Sequence, residues 1–403
     1  MEKAVACSGK FDEKYLHSRF DPVKEAERYV QSLNINENIK YLILIECGLC
    51  YVIPFLRKLL PHAKIISLHL SKFYFDNAQN KADASWWTHD AIQDQSNCTQ
   101  FLEKEIEDTK VSEIKIIQWR PSIQVFEHNY TALLSVVVEF VKRIDANKRT
   151  TETFIVRWQK NIKRNTFIIK KVCKKINTHW TDCIVAGAGP SLENEFNAIK
   201  NMLNTSHDGA ICLIAVSSAA FAFLSRGIIP DIIVASDGGY WAKHHLNQCA
   251  RFNVSQTIFA ITLNAAIPAQ LTNYKILPIA DGSKEQDIIL QKKSALPLHF
   301  PQRGTVSATA IDLALSLCTG KIFLCGLDLA EVDIKSHVRP YSLDLILEAS
   351  ANRLQPAYSQ HFVRTLLVKD AGSNRIYASW FKNNIAKYKN RLCALGEINS
   401  VFC

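Results

Sequence analysis

An α/β protein with a Rossmann-like, doubly wound parallel sheet at its core is predicted by three observations. Short apolar runs recur without polar alternation, as CIVAGA, AICLIAV, DIIVAS, TIFAITL, KILPIA and KIFLCGLDL. Strands covered on both faces read this way. Helical patterns separate them, namely SLENEFNAIKNML, SSAAFAFLSRG and TVSATAIDLALSLC, the last spaced to lay Val306, Ala310, Leu313 and Leu317 against a sheet. Finally, the first of these runs ends abruptly on Gly187-Ala188-Gly189-Pro190-Ser191 and passes straight into a helix.

Elements before this core form a smaller α/β domain over residues 1–147. A polar helical segment, DPVKEAERYVQSL, leads into the buried strand KYLILIECGLC, then the amphipathic YVIPFLRKLLPH and the run AKIISLHL, which together make a βαβ unit. VSEIKIIQW reads as a further strand and YTALLSVVVEFVKRI as a helix. Residues 148–177 read as a basic helical linker, 178–340 as the Rossmann-like domain and 341–403 as a helical C-terminal region.

A chain of 403 residues with 48% hydrophobic and 21% charged residues is a soluble globular protein of two domains. It carries neither a signal-peptide pattern nor an apolar run of membrane-spanning length, so a cytoplasmic location is expected. The twelve cysteines are scattered, with Cys183, Cys212 and Cys325 inside apolar runs. That is a reduced interior and not a disulfide framework. Cys47 and Cys50 form a CxxC with no second ligand pair, which argues against zinc. The net charge of +10 is concentrated: residues 148–175 hold ten Lys or Arg against the single Glu152. Such a surface attracts phosphates, acidic protein or anionic lipid, unless the segment is only a solvated link between domains. No nucleic-acid-binding motif accompanies the charge.

A strand ending on Gly-x-Gly turns tightly with no Cβ in the way, and the helix that follows aims free N–H groups and a positive dipole end at the crevice. Pro190 suits a first helical turn, and Ser191 can cap the helix or donate to a phosphate oxygen. The turn lacks the third glycine of GxGxxG and the lysine of a Walker loop. In open α/β sheets ligands sit beyond the carboxyl ends of strands. There the chain places Ser217 in AVSSAA, Asp237 and Gly238 in ASDGGYW, Arg303, Gly304, Thr305 and Ser307 in PQRGTVSATA, and Asp328 in CGLDLAE.

The stretches IVAGAGPSLENEF, RGIIPDIIVASD, FPQRGTVSATAIDLALSLCTGKIFLCGLDLAE and SHVRPYS resemble the motility-associated factor (Maf) glycosyltransferases, whose core is also known as the 6-hydroxymethylpterin diphosphokinase MptE-like domain. The resemblance spans roughly residues 150–395, and ECGLCYVIPFLRKLLPHAKIISL is more loosely similar to the N-terminal domain of many Maf proteins. It implies transfer of a nonulosonic acid, pseudaminic or legionaminic or a relative, from a CMP-linked donor to Ser or Thr of flagellin, with no cofactor required. The turn is also similar to that of CMP-sialic acid sialyltransferases, although Ala188 stands where those have asparagine.

Under this resemblance His337 is the base that takes the acceptor proton. Gly187, Gly189, Pro190, Ser191, Thr305 and Ser307 hold the nucleotide end of the donor, and Arg303 pairs with its carboxylate. Asp237 and Asp328 bond ribose or sugar hydroxyls, or else cap helices. Two other classes stay open. An ATP-dependent pterin diphosphokinase would use the same two aspartates to hold Mg2+, and a non-catalytic flagellar accessory protein would bind no nucleotide.

Overall fold

In the computed structural model the chain forms two units, Met1–Glu152 and Thr153–Cys403. The structure describes residues 10–11, 14–107, 109–176, 180–206, 209–249, 251–252, 254–301, 304–329, 335–370, 381 and 390–395.

The first unit opens with a short antiparallel pair, β1 (Lys10–Phe11) and β2 (Lys14–Tyr15). Helix α1 (Pro22–Ser32) follows, started by Asp21, whose carboxylate accepts from Lys24 N at 2.8 Å. Then come β3 (Tyr41–Ile45), α2 (Ile53–Leu59), β4 (Lys64–His69), α3 (Lys72–Asn77), β5 (Ala84–Trp87), α4 (Gln95–Glu105) and β6 (Ile114–Gln118). The four longer strands form a parallel sheet in the order β5-β4-β3-β6. Alternate residues serve opposite faces: Leu42 and Leu44 join one apolar cluster, and Ile43 and Ile45 the other. The β5 strand lay in KADASWW, too short and polar to register as an apolar run.

Helix α5 (Arg120–Ile168) is 49 residues long, interrupted by a non-helical Glu127. The division between the units falls inside it. The basic segment expected as a helical linker is helical through Ile168, and much of it is built into the second unit. Ile162, Asn165, Ile168 and Ile169 are buried there. Asn165, 1% exposed, donates from Nδ2 to Leu263 O at 2.9 Å and Ala265 O at 2.7 Å. Asn161 donates in the same way to Gly238 O and Asn264 O. Sequence reading saw the charges of this helix and missed the two asparagines that fasten it.

The second unit continues with β7 (Asp182–Ala186), α6 (Leu192–Thr205), β8 (Ile211–Val216), α7 (Ser217–Leu224), β9 (Ile232–Ala235), α8 (Ala242–Cys249), β10 (Ile258–Thr262) and β11 (Lys275–Ile279). It ends with α9 (Lys284–Lys292), α10 (Val306–Leu317), β12 (Ile322–Cys325), α11 (Asp344–Ser350), α12 (Ala357–Asp370) and β13 (Leu392–Ala394). Its seven strands are all parallel, in the order β11-β10-β9-β8-β7-β12-β13. Ile232 and Val234 pack on one face, and Ile233 and Ala235 on the other, so the sheet is covered on both sides as the unalternated strands require. Pro278 is accommodated because β11 lies at the sheet edge, where a missing N–H leaves no ladder bond unmade. The region after residue 341 is not wholly helical. Its β13 extends the sheet beside β12, a strand of three residues that offered no apolar run to detect. Ala310 and Leu313 of α10 are buried as its spacing predicted, with Val306 and Leu317 half-buried at its ends.

The chain runs outward from β7 through β8 to β11 and then returns to lay β12 on the other side of β7. This reversal makes the crevice beyond the carboxyl ends of β7 and β12 the topological switch point of the sheet.

Replacing Asn165 by alanine removes both docking bonds and leaves two buried carbonyls without donors. The expected cost is about 2–4 kcal/mol, read as a lower urea midpoint with a native-like far-ultraviolet spectrum before the transition. An unchanged midpoint would show that the asparagine does not hold the helix.

Candidate functional site at the strand reversal

Two backbone turns meet at the switch point. Gly187 N donates to Cys325 O at 2.8 Å, and Gly189 N to Gly326 O at 2.8 Å. A Cβ on Gly187 would lie 2.3 Å from Gly326 O, and one on Gly189 would lie 1.8 Å from Asp328 Oδ2. Both glycines are thus required by close approach, and Gly326 adds a φ of +60° that favours glycine. The opening of α6 is occupied. Asp328, 8% exposed, accepts from Ser191 N at 3.1 Å and Ser191 Oγ at 2.9 Å with the same Oδ2. The position where the sequence placed a phosphate oxygen holds a carboxylate of the chain itself, which satisfies the helix N-terminus in the same electrostatic sense.

Glu193 and Glu195 lie in the first turn of α6. Each has a specific partner. Glu193 binds Lys335 Nζ at 2.7 Å and accepts from Arg339 N at 3.0 Å. Glu195, 5% exposed, accepts from Gly326 N at 3.0 Å. Burial raises the Glu195 carboxyl to about 7, with the neighbouring Asp328 charge adding to the rise and the Gly326 N–H opposing it.

The loop carrying His337 is fastened to the glycine turn by Val338 N donating to Ala188 O at 2.9 Å, as well as by the two Glu193 contacts. Within it the His337 ring stacks on Tyr341 at 4.2 Å and 13°, and Nδ1 lies 2.9 Å from Ser336 Oγ. A small polar recess is lined by Lys335, His337, Arg339, Tyr341, Asp344 and His361. Asp344 lies between Arg339 Nε at 3.7 Å and His361 Nδ1 at 3.8 Å. His361 comes from α12, about twenty residues further on, and had no sequence signal beyond being a histidine.

The remaining predicted residues also gather along the carboxyl edge, with local structural tasks. Helix α10 ends near the start of β7, where Cys318 Sγ meets Asp182 O, so its beginning lies at the opposite, carboxyl edge. Thr305 caps it, Oγ accepting from Ala308 N at 3.1 Å, after Gly304 at φ +81°. Ser307 is half-buried in its first turn, and Ser217 is buried at the start of α7. Asp237 is exposed and closes a turn by accepting from Gly239 N at 2.7 Å. Gly238 is where Trp158 packs, a Cβ there meeting the indole at 2.5 Å. Arg303 lies outside the described residues. Asp237 and Asp328 end strands three ladder spacings apart, roughly 14 Å, so the two do not converge as a shared magnesium site would need.

The first unit has the same reversal, with β6 returning beside β3, and its crevice is filled by the unit's own groups. Glu46, fully buried, accepts from Leu70 N at 2.6 Å, Ser71 N at 3.2 Å and Gly48 N at 3.2 Å. The His17 ring closes over Gly48, where a Cβ would lie 2.3 Å from Nε2, and that nitrogen accepts from Leu49 N. Burial lowers His17 to about 4. Cys47 and Cys50 are both buried, Cys50 Sγ lying 3.6 Å from Ser67 Oγ, and burial pushes the Cys47 thiol well up.

Two parallel sheets with flanking helices, and a glycine turn at the reversal of the second, define a Rossmann-like α/β protein. Residues 156–333 match the family described as 6-hydroxymethylpterin diphosphokinase MptE-like. The structure of the MAf glycosyltransferase from Magnetospirillum magneticum AMB-1 shares the fold, with a TM-score of 0.53 and 13% identity over 80% of this chain and 58% of that one. An uncharacterized protein of Treponema pallidum (strain Nichols) is 25% identical over 317 residues, 77% of this chain and 66% of its own. Residues 156–333 are thus similar to the MptE-like family, and the likeness to the MAf glycosyltransferase is one of fold. The chain spans somewhat under two thirds of the length of either relative. Among the described residues no helix is long and apolar enough to cross a membrane.

A carboxyl raised in the folded state favours folding while protonated and costs stability once ionised. Stability should therefore fall as pH rises from the ordinary value of 4.5 through about 7, by roughly 3 kcal/mol for Glu195. Glu195→Gln keeps an acceptor for Gly326 N and should flatten that fall in urea titrations across the range. A variant with the wild-type pH profile would place the burden on another group.

Proposed function

We propose that the second unit transfers a nonulosonic acid from a CMP-linked donor to serine or threonine hydroxyls of a protein acceptor, flagellin in the reading the family resemblance implies. The observation that supports this reading most is the bond from Val338 N to Ala188 O, because it holds His337 beside the glycine turn at the switch point. A positioned imidazole next to a nucleotide crevice is what a single displacement at an anomeric carbon needs. The acceptor oxygen forms the new bond to that carbon as the bond to the CMP phosphate oxygen breaks. Its proton passes to His337, and the electron pair leaves with CMP. In the tautomer in which Nδ1 donates to Ser336 Oγ, 2.9 Å away, Nε2 is the basic nitrogen, and stacking on Tyr341 fixes the plane of the ring. Lys335 and Arg339 line the same recess and can balance the carboxylate and phosphate charge of such a donor.

The glycine turn enters this reading with one adjustment. Ser191 can donate to a donor phosphate only if Asp328 yields its place, so Asp328 is either displaced on binding or directs the phosphate to the neighbouring start of α10. A kinase reading draws on the description of the matched family. It would need Mg2+ bound by a carboxylate set other than the separated pair Asp237 and Asp328.

Calorimetric titration should show CMP and CDP binding more tightly than AMP and ATP, with transfer to a flagellin peptide unaffected by EDTA. A preference for ATP with magnesium would replace the proposal by the kinase reading, and no nucleotide binding at all would leave an accessory role. His337→Ala should keep CMP affinity and lower turnover by about 10²- to 10⁴-fold. Ser191→Ala should instead weaken donor binding by on the order of 1 kcal/mol. Equal losses of binding and turnover in both variants would mean that His337 is not the base.

A further inference from the structure

The part of α5 that belongs to the second unit has two unlike faces. Its inner face carries Trp158, Asn161, Ile162, Asn165 and Ile168, which are buried or half-buried against the unit. At 100° per residue the opposite side is centred on Val156, Lys160, Lys163 and Phe167, flanked by Arg157 and Arg164. All six are exposed, Val156 at 60% and Phe167 at 78%. The chain beyond the helix adds exposed Lys170, Lys174 and Lys175. Lys171 is committed elsewhere, its Nζ reaching Asn273 O at 3.0 Å. The stripe from Val156 to Phe167 is about 16 Å long.

We propose that this face docks on an anionic bilayer surface, the lysines and arginines meeting lipid phosphates while Phe167 and Val156 enter the boundary between headgroups and acyl chains. A charged face that served only solubility would have no use for a phenylalanine exposed at 78% at the end of its stripe. The charges complement an anionic leaflet, and lysine stems can lie along the apolar residues while their ammonium groups stay in water. The face is the outer side of one helix, which suits a fluid interface that moulds itself to the protein. The contact is peripheral, and the buried inner face keeps the helix docked on its own unit throughout.

The test uses the full chain with vesicles of equal parts phosphatidylglycerol and phosphatidylcholine, and with vesicles of phosphatidylcholine alone. Co-sedimentation is expected only with the anionic vesicles, weakening as salt rises. Lys160→Gln, Lys163→Gln and Arg164→Gln combined should reduce partitioning by roughly two orders of magnitude, near fivefold per charge. Phe167→Ser should reduce it about three- to tenfold and leave the salt dependence as it was. Matched thermal midpoints would confirm that all variants are folded. Absence of vesicle binding would overturn the proposal. So would a Phe167→Ser variant that binds like the parent, or polyglutamate binding as tight as that to the anionic vesicles, since either leaves a charged face for acidic macromolecules only.

Discussion

The contact of two backbone turns, one after β7 and one after β12, is the constraint on which the rest of the second unit depends. Strand pairing brings Cys325 O to Gly187 N, and the bond from Gly189 to Gly326 carries the ladder one step beyond the strands themselves. No side chain fits between them. Because the turns touch, α6 must begin directly over Gly326. Glu195 then reaches the Gly326 amide, Asp328 reaches Ser191, and Glu193 reaches back to the loop that carries His337. A single missing pair of Cβ atoms thus fixes where three carboxylates and a histidine stand.

The two units solve the same geometric problem with opposite chemistry. Each reverses its strand order beside its first strand, and each collects inward-pointing amides at that place. In the first unit a buried Glu46 takes three of those amides and His17 seals the glycine, so the crevice has become core. In the second the carboxylate is Asp328, shorter and reached from a loop, and a small polar recess lined by Lys335, His337 and His361 lies in the loop that follows. The fold class is common to both units, and by itself it assigns chemistry to neither.

Much of this was legible in the residues. Strands without alternation, α10 with its apolar stripe and the GAGPS turn each carried a local signal strong enough to survive tertiary context; the edge where Ser191, Thr305 and Asp328 gather was read from the carboxyl-end rule, and His337 was singled out by the family resemblance. What escaped were roles set by partners distant in sequence. Asp328 was read as a ligand contact or a helix cap, but nothing near it announces that the helix will be α6, 137 residues away, and Gly238 gives no sign that Trp158 lies against it. Thr305 was read as a ligand contact and Asp237 as a ligand contact or a helix cap, and the structure shows each bonded to a nearby backbone amide, a place that small polar residues fill for ligands and caps alike. Glu193, Glu195 and His361 were passed over since single charged residues on helices are common, and only the folded chain shows which ones face inward.

Asp328 also gives the glycine turn a resting state. A helix start with unanswered amides collects whatever anion is abundant, and in water it would be held by chloride or stray phosphate much of the time. With its own carboxylate in place, the turn is quiet toward such weak visitors. An ion of single charge gains little by replacing one already bonded to Ser191 at both N and Oγ. A ligand succeeds only if contacts elsewhere along the crevice compensate for the exchange. Under the proposed function the aspartate would act as a threshold, so that the turn would answer to the whole of a donor and not to its phosphate alone.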